Sequence, residues 1–253
     1  MVLQVQEGLG QLIAAAGPRV LVATAVSAER EAVAAASSGT AREIRLPGAT
    51  LHRTGGLDLL AAGVGPALAA ASVSAALTRA ALNGTPYGLV VCAGIAGGFQ
   101  PGAPVGSLVV ADDIVAADLG AEAPEGFLPV TELGFGTVSH RPPESLVREV
   151  AAVTGGSVGT VLTVSTVTGS AARADELRTR HPRALAEAME GFGVAEAAGA
   201  HGVPVLEIRA VSNPVGPRDR AAWRIGDALA ALTDAFGKLG PLLESWNTHE
   251  RTD

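Results

Sequence analysis

The sequence has a single cysteine, and aromatic residues fill only 3% of its 253 positions. Cys92 lies inside an apolar run, so neither a disulfide framework nor a thiolate metal site can be built from it. Charge is sparse as well, at 17% of residues with a formal net charge of -7. Binding a nucleic-acid backbone requires a concentrated basic face, and the 18 lysines and arginines are scattered, so no nucleic-acid partner is expected. No apolar run reaches the roughly 18 residues of a membrane span, so no membrane partner is expected. The 5 histidines form no HxxxH pair and no carboxylate spacing suited to a metal; neither a metal nor an organic cofactor is expected. Met1–Gly17 lacks the basic start and small-residue cleavage pattern of a secretory signal, and with the lone cysteine this points to the cytoplasm. What is left is chemistry on a small molecule.

The residues in excess are Ala, Val, Leu and Gly. Hydrophobic residues reach 48%, the signature of a buried sheet covered by small-residue helices. Apolar runs bounded by Gly or Pro predict strands at Val20–Thr24, Leu57–Ala62, Leu89–Ala93, Leu108–Ala111, Thr160–Val164 and Val205–Val211. Helical stretches fall between them at Ala28–Ala36, Pro66–Leu82, Pro143–Val153, Ala171–Arg180, Glu187–Ala200 and Ala221–Leu239. This alternation predicts a three-layer α/β/α sandwich around a twisted, mixed but mostly parallel sheet, with ligands at the carboxyl ends of the strands. Residues 19–246 are expected to form one domain, with 1–18 an N-terminal extension and 247–253 a disordered tail.

Two glycine-rich turns follow strands, Gly63-Val64-Gly65-Pro66 and Gly94-Ile95-Ala96-Gly97-Gly98. Glycines there let a ligand approach main-chain N–H groups. The first is not a dinucleotide fingerprint, because Leu68 stands at the third glycine position and no acidic ribose-binding residue follows. Further on, Met189-Glu190 opens the stretch Gly191-Phe192-Gly193-Val194-Ala195, where a carboxylate among apolar neighbours must find a partner. Polar groups also emerge at the end of the last apolar run, as Arg209-Ala210-Val211-Ser212-Asn213.

Taken in order, Glu29, Gly63-Val64-Gly65, Ala93 to Gly98, Met189-Glu190 and Arg209 to Asn213 resemble the methylthioadenosine/adenosylhomocysteine nucleosidases and their phosphorylase relatives, over about Arg19 to Leu239. The resemblance implies that Glu190 holds the ribose 2′-hydroxyl, that Met189 packs against the nucleoside, and that Glu29 activates the attacking water. Glu31 lies close enough in sequence to take that last role instead. It further implies that main-chain groups around Val167 and Thr168 bind the purine, with Gly65, Ile95 and Gly97 of the glycine turns lining the same site.

Two departures are informative. Adenine-specific nucleosidases carry an Asp at the end of the last strand, where this chain has Asn213. Phosphorylases grip phosphate with an Arg and a Ser at positions that read Cys92 and Ile95 here, and an apolar side chain cannot replace an anion ligand, so water is the expected nucleophile. The continuation from Ser212 to Asp219, with Trp223, is similar to the futalosine hydrolases of the alternative menaquinone pathway. The reaction so implied cleaves the N-glycosidic bond of futalosine to hypoxanthine and dehypoxanthine futalosine. Another purine nucleosidase, of methylthioadenosine/adenosylhomocysteine or inosine type, and a purine nucleoside phosphorylase are the alternatives. Asn213 is expected to stabilise the departing base, Arg218 to meet the substrate carboxylate beside Trp223, and the chain to form a homodimer or higher homo-oligomer.

Overall fold

Aliphatic runs buried on both faces make up the middle of the sheet. The computed structural model describes residues 19–37, 41–124 and 126–249, the side chains of 244 and 247–249 excepted. Strand β1 (Val20–Thr24) leads to α1 (Ser27–Ala34), a meander of β2 (Arg42–Leu46), β3 (Ala49–Thr54) and β4 (Leu57–Ala61), then α2 (Pro66–Leu82) and β5 (Leu89–Gly98). Next come β6 (Leu108–Ala116), a ribbon of β7 (Gly120–Ala123) and β8 (Gly126–Pro129), the short β9 (Ser139–His140), α3 (Glu144–Thr154) and β10 (Ser157–Thr163). The chain continues with α4 (Ala171–Arg180), β11 (Ala184–Ala188), α5 (Gly191–Ala200), β12 (Val205–Pro214) and α6 (Ile225–His249).

The main sheet runs β11-β10-β6-β12-β5-β1-β4-β3-β2, with β9 beside β6. It is parallel from β4 through β1 and β5 to β12, and again from β6 through β10 to β11; β12–β6 and the β2-β3-β4 edge are antiparallel. Successive residues of β5 serve opposite layers: Leu89, Val91 and Ala93 join the core under α3 and α6, whereas Val90, Cys92 and Ala96 join the core under α2 and α5. Covering both faces explains the unbroken apolar runs, and each fully buried Val or Leu contributes roughly 1.5–3 kcal/mol. The expected three layers are therefore present, as is the mixed, centrally parallel sheet. No helix among the described residues is long and apolar enough to cross a membrane.

Several boundaries differ from expectation for physical reasons. Gly94–Gly98 is not a turn but the second half of β5. That half pairs with β11, Ala186 opposite Gly98 and Glu187 opposite Gly97, so the sheet closes on itself beside β12. Residues 187 and 188, expected in a helix, belong to β11; α5 starts at Gly191, with Glu190 at its N-cap rather than in its first turn. The Ala-rich stretch 184–188 favours a helix locally, but pairing with β10 and β5 outweighs that weak preference. The edge strand β2 and its neighbour β3 carry no buried alternation to betray them. At the other end, Ala221 lies in a 3₁₀ turn (Arg220–Ala222), and α6 begins at Ile225. This helix runs on past Leu239 because Leu243 and Trp246 are buried, and it reaches His249, three residues into the stretch expected to be disordered. The extension expected at 1–18 and the last residues of that tail, 250–253, lie outside the described residues.

Candidate active site

A cleft of about 260 Å³ opens at the carboxyl ends of β1, β5 and β12. Of the residues singled out in the sequence, Glu29, Glu190, Asn213, Ile95, Gly97, Val167, Thr168, Met189, Arg218 and Trp223 line it. Gly65 does not. Its N–H donates to Glu190 Oε1 at 3.2 Å from behind the wall, in a backbone conformation (φ 88°) that glycine adopts without strain.

Glu29 is the third residue of α1 and folds back over the helix start. Its Oε2 accepts from the N–H groups of Ala25 at 2.9 Å and Val26 at 3.2 Å, as a first-turn glutamate does in a capping box. Oε1 accepts from the Ile95 N–H at 2.8 Å, tying α1 to β5. Glu29 is 4% exposed and faces the cleft, while the Glu31 side chain is 70% exposed and pairs with Arg30. Oε1 keeps an acceptor position free, which suits it to take a proton from water.

Glu190 is placed by the junction of β11 and α5. Its Oε2 accepts from the Met189 N–H at 3.3 Å and lies 3.4 Å from Arg209 Nη2. Arg209, the largest fully buried side chain, reaches Glu190 from β12. Burial works against its charge, but the surrounding carboxylates of Glu207, Glu190 and Glu29 win and hold its pKa above the ordinary value. Burial pushes the Cys92 thiol well above its usual range, so Arg209 Nη2 meets a neutral sulfur at 3.2 Å.

At the far end of the cleft Gly97 is flanked by Asn213 on β12 and Glu187 on β11. Asn213 Nδ2 donates to the Pro214 carbonyl at 3.0 Å, and Oδ1 accepts from the Ser212 hydroxyl at 2.8 Å. These contacts set which way the amide points and leave one N–H and one acceptor position for a ligand. Glu187 was not singled out in the sequence, although a glutamate between alanines in a buried stretch was a usable signal. Its oxygens accept from the Thr168 N–H at 2.8 Å and hydroxyl at 2.5 Å, pinning the Val167–Thr168 segment. Burial raises the Glu187 carboxyl, and the Thr168 bonds oppose that shift. Arg218 lies over the Trp223 ring, 5.4 Å from its centroid, with no ion pair among the described residues. Among the described residues it is the only Arg or Lys of the cleft lining.

A profile of the phosphorylase superfamily matches residues 19–240. The chain is 74% identical over 232 residues to the futalosine hydrolase of Streptomyces coelicolor, covering 91% of this chain and 99% of that one. The chain belongs to the phosphorylase superfamily and, within it, to the futalosine hydrolase family. The Acidothermus cellulolyticus futalosine hydrolase is 47% identical, over 87% of this chain and 89% of its own. Among solved structures, a Helicobacter pylori futalosine hydrolase superposes with a TM-score of 0.74 at 19% identity, covering 89% of this chain and 98% of that chain. The Colwellia psychrerythraea methylthioadenosine/adenosylhomocysteine nucleosidase, solved with adenine, gives 0.74 at 21%, over 90% and 95%. At those identities the structures establish the superfamily fold, and the span read from the motifs, about 19 to 239, coincides with the matched one.

Proposed function

We propose that this chain hydrolyses the N-glycosidic bond of futalosine, releasing hypoxanthine and dehypoxanthine futalosine, as a step of menaquinone biosynthesis. The observation that carries this reading is the 74% identity over 99% of a futalosine hydrolase. In such a cleavage positive charge grows on the ribose while the base departs with the bonding electrons. Glu29 Oε1 takes a proton from the attacking water, and Glu190 stabilises the sugar through its 2′-hydroxyl. The departing base takes a proton at N7 from solvent; Asn213 donates its free N–H to the 6-oxo group, and its carbonyl accepts a hydrogen bond from that N7–H. Arg218 meets the substrate carboxylate, with Trp223 as an apolar wall. Among the described residues no other Arg or Lys lines the cleft, which favours water over phosphate as the nucleophile. A homo-oligomer in the cytoplasm completes the proposal; exposed Leu119, Leu133 and Phe135 supply apolar surface for a second copy, which size-exclusion chromatography tests.

The deciding experiment incubates the protein with futalosine, inosine, methylthioadenosine and adenosylhomocysteine, with and without phosphate, and identifies the released base by chromatography. Hypoxanthine from futalosine at a phosphate-independent rate is expected. Turnover that requires phosphate, or faster release of adenine than of hypoxanthine, overturns the reading.

A further inference from the structure

One fully buried acid has no part in the chemistry above. Glu207 lies in β12 between Leu206 and Ile208 and is 0% exposed. An ionised group in such a place is retained only with a partner. Its Oε1 accepts from Arg209 Nε at 2.8 Å, and its Oε2 has no hydrogen-bond partner among the described residues. The wall beside both oxygens is Gly191, where any Cβ would collide with them; the backbone that follows Glu190 thus packs directly on Glu207. Arg209 is drawn by Nε to Glu207 and by Nη2 to the Cys92 sulfur. Its Nη2 also forms an ion pair with Glu190 Oε2, but at 3.4 Å this contact is longer than the roughly 2.7–2.9 Å of a charge-assisted N–H···O bond. Three carboxylates surround one guanidinium, and the one that accepts a hydrogen bond from it, Glu207, lies outside the cleft lining.

A guanidinium closed onto Glu190 would neutralise the charge that a cationic sugar requires. We propose that Glu207 is a positioning residue that holds Arg209 back from Glu190, keeping the Glu190 charge available to the developing oxocarbenium ion. This rests on the nucleosidase reading above, which wild-type turnover of futalosine tests separately.

The test compares wild type, Glu207→Gln and Glu207→Asp in three measurements: turnover of futalosine, affinity for a nucleoside analogue with a protonated pyrrolidine in place of the ribose, and affinity for free hypoxanthine. Glu207→Gln should lose on the order of tenfold in kcat with KM within about twofold, and the cationic analogue should weaken by a similar factor while hypoxanthine binding holds. Glu207→Asp keeps the charge and should retain more turnover than the isosteric Gln. A role in packing alone orders the two variants the other way, because Gln fills the site and Asp leaves a gap. That reverse order, or equal losses for analogue and hypoxanthine, overturns the proposal. Should Glu207→Gln not fold, Glu207→Asp decides alone: the drawn-back carboxylate must weaken the analogue more than hypoxanthine, and an unchanged ratio refutes the inference. The binding ratio reads the charge on Glu190 even if futalosine is not the substrate.

Discussion

Replacing Gly94 by alanine tests how closely the working groups are packed. Gly94 lies in β5, with Glu29 and Arg209 both reaching across it. A Cβ at that position would stand 2.6 Å from Glu29 Oε1 and 2.8 Å from Arg209 Nη1. Ordinary contact begins at 3.4 Å, so the carboxylate oxygen has to give about 0.8 Å and the guanidinium nitrogen about 0.6 Å. Neither is free to do so. Glu29 is held by three backbone N–H groups, and Arg209 is boxed in by Glu207, Cys92 and Glu190. A shift near 1 Å in a positioned reacting group costs on the order of a hundredfold in rate, and that is the expected fall in kcat. Overpacking also destabilises by about 1–3 kcal/mol, so thermal melts must accompany the kinetics to confirm a folded variant. The assay is hypoxanthine release at saturating futalosine. A folded Gly94→Ala protein with kcat within about threefold of wild type would refute the reasoning.

Four further outcomes are expected. Glu190→Gln should keep the fold and lose about 10²–10³ in kcat, since an amide offers the sugar no negative charge; wild-type turnover would make Glu190 a structural group. Asn213→Asp should narrow or reverse a preference of roughly tenfold to a hundredfold for 6-oxopurine over 6-aminopurine nucleosides, read as the ratio of kcat/KM for futalosine and its 6-amino analogue; an unchanged ratio removes Asn213 from base reading. Arg218→Ala should raise KM for futalosine by about tenfold, the low end for an exposed charge-assisted contact, and spare inosine; equal losses for both would take Arg218 out of that role. Asp58 is buried away from the cleft and accepts from Arg19 Nε at 2.8 Å, Arg53 Nη2 at 2.7 Å and the Tyr87 hydroxyl at 2.6 Å. Burial alone would raise its carboxyl, but those donors prevail and hold it below 3.8, so the stability it contributes is present above that pH and lost as pH falls through its native value. Asp58→Asn should therefore cost about 3 kcal/mol in denaturant titrations at neutral pH with kcat unchanged, and a loss under about 0.5 kcal/mol would contradict this account.

Much of the architecture was legible without coordinates. Val20–Thr24, Pro66–Leu82 and Ala171–Arg180 have the same bounds in sequence and structure, because an apolar run between breakers and a proline or serine at a helix start are local signals. The chain order of the motifs was enough to nominate Glu29, Glu190 and Asn213, and the cleft brings them together. What depended on pairing between distant segments was not legible. Alanines at 184–188 suit a helix until β10 and β5 claim their backbone groups, and glycines at 94–98 read as a turn until β11 pairs with them.

The same limit applied to the site. Glu29 and Glu31 are equivalent in sequence; only the fold turns one inward onto Ile95 and leaves the other in solvent beside Arg30. Glu187 became part of the cleft because closure of the sheet sets it across Gly97 from Asn213. Glu207 and Arg209 lie two apart on one strand and so share a face, which the sequence determined; that the guanidinium stands between Glu207, Cys92 and Glu190 is a property of three segments meeting. Composition and periodicity determine which residues must be buried. Which buried charges face one another is decided by long-range packing, since a charge inside a core has no local partner to announce it.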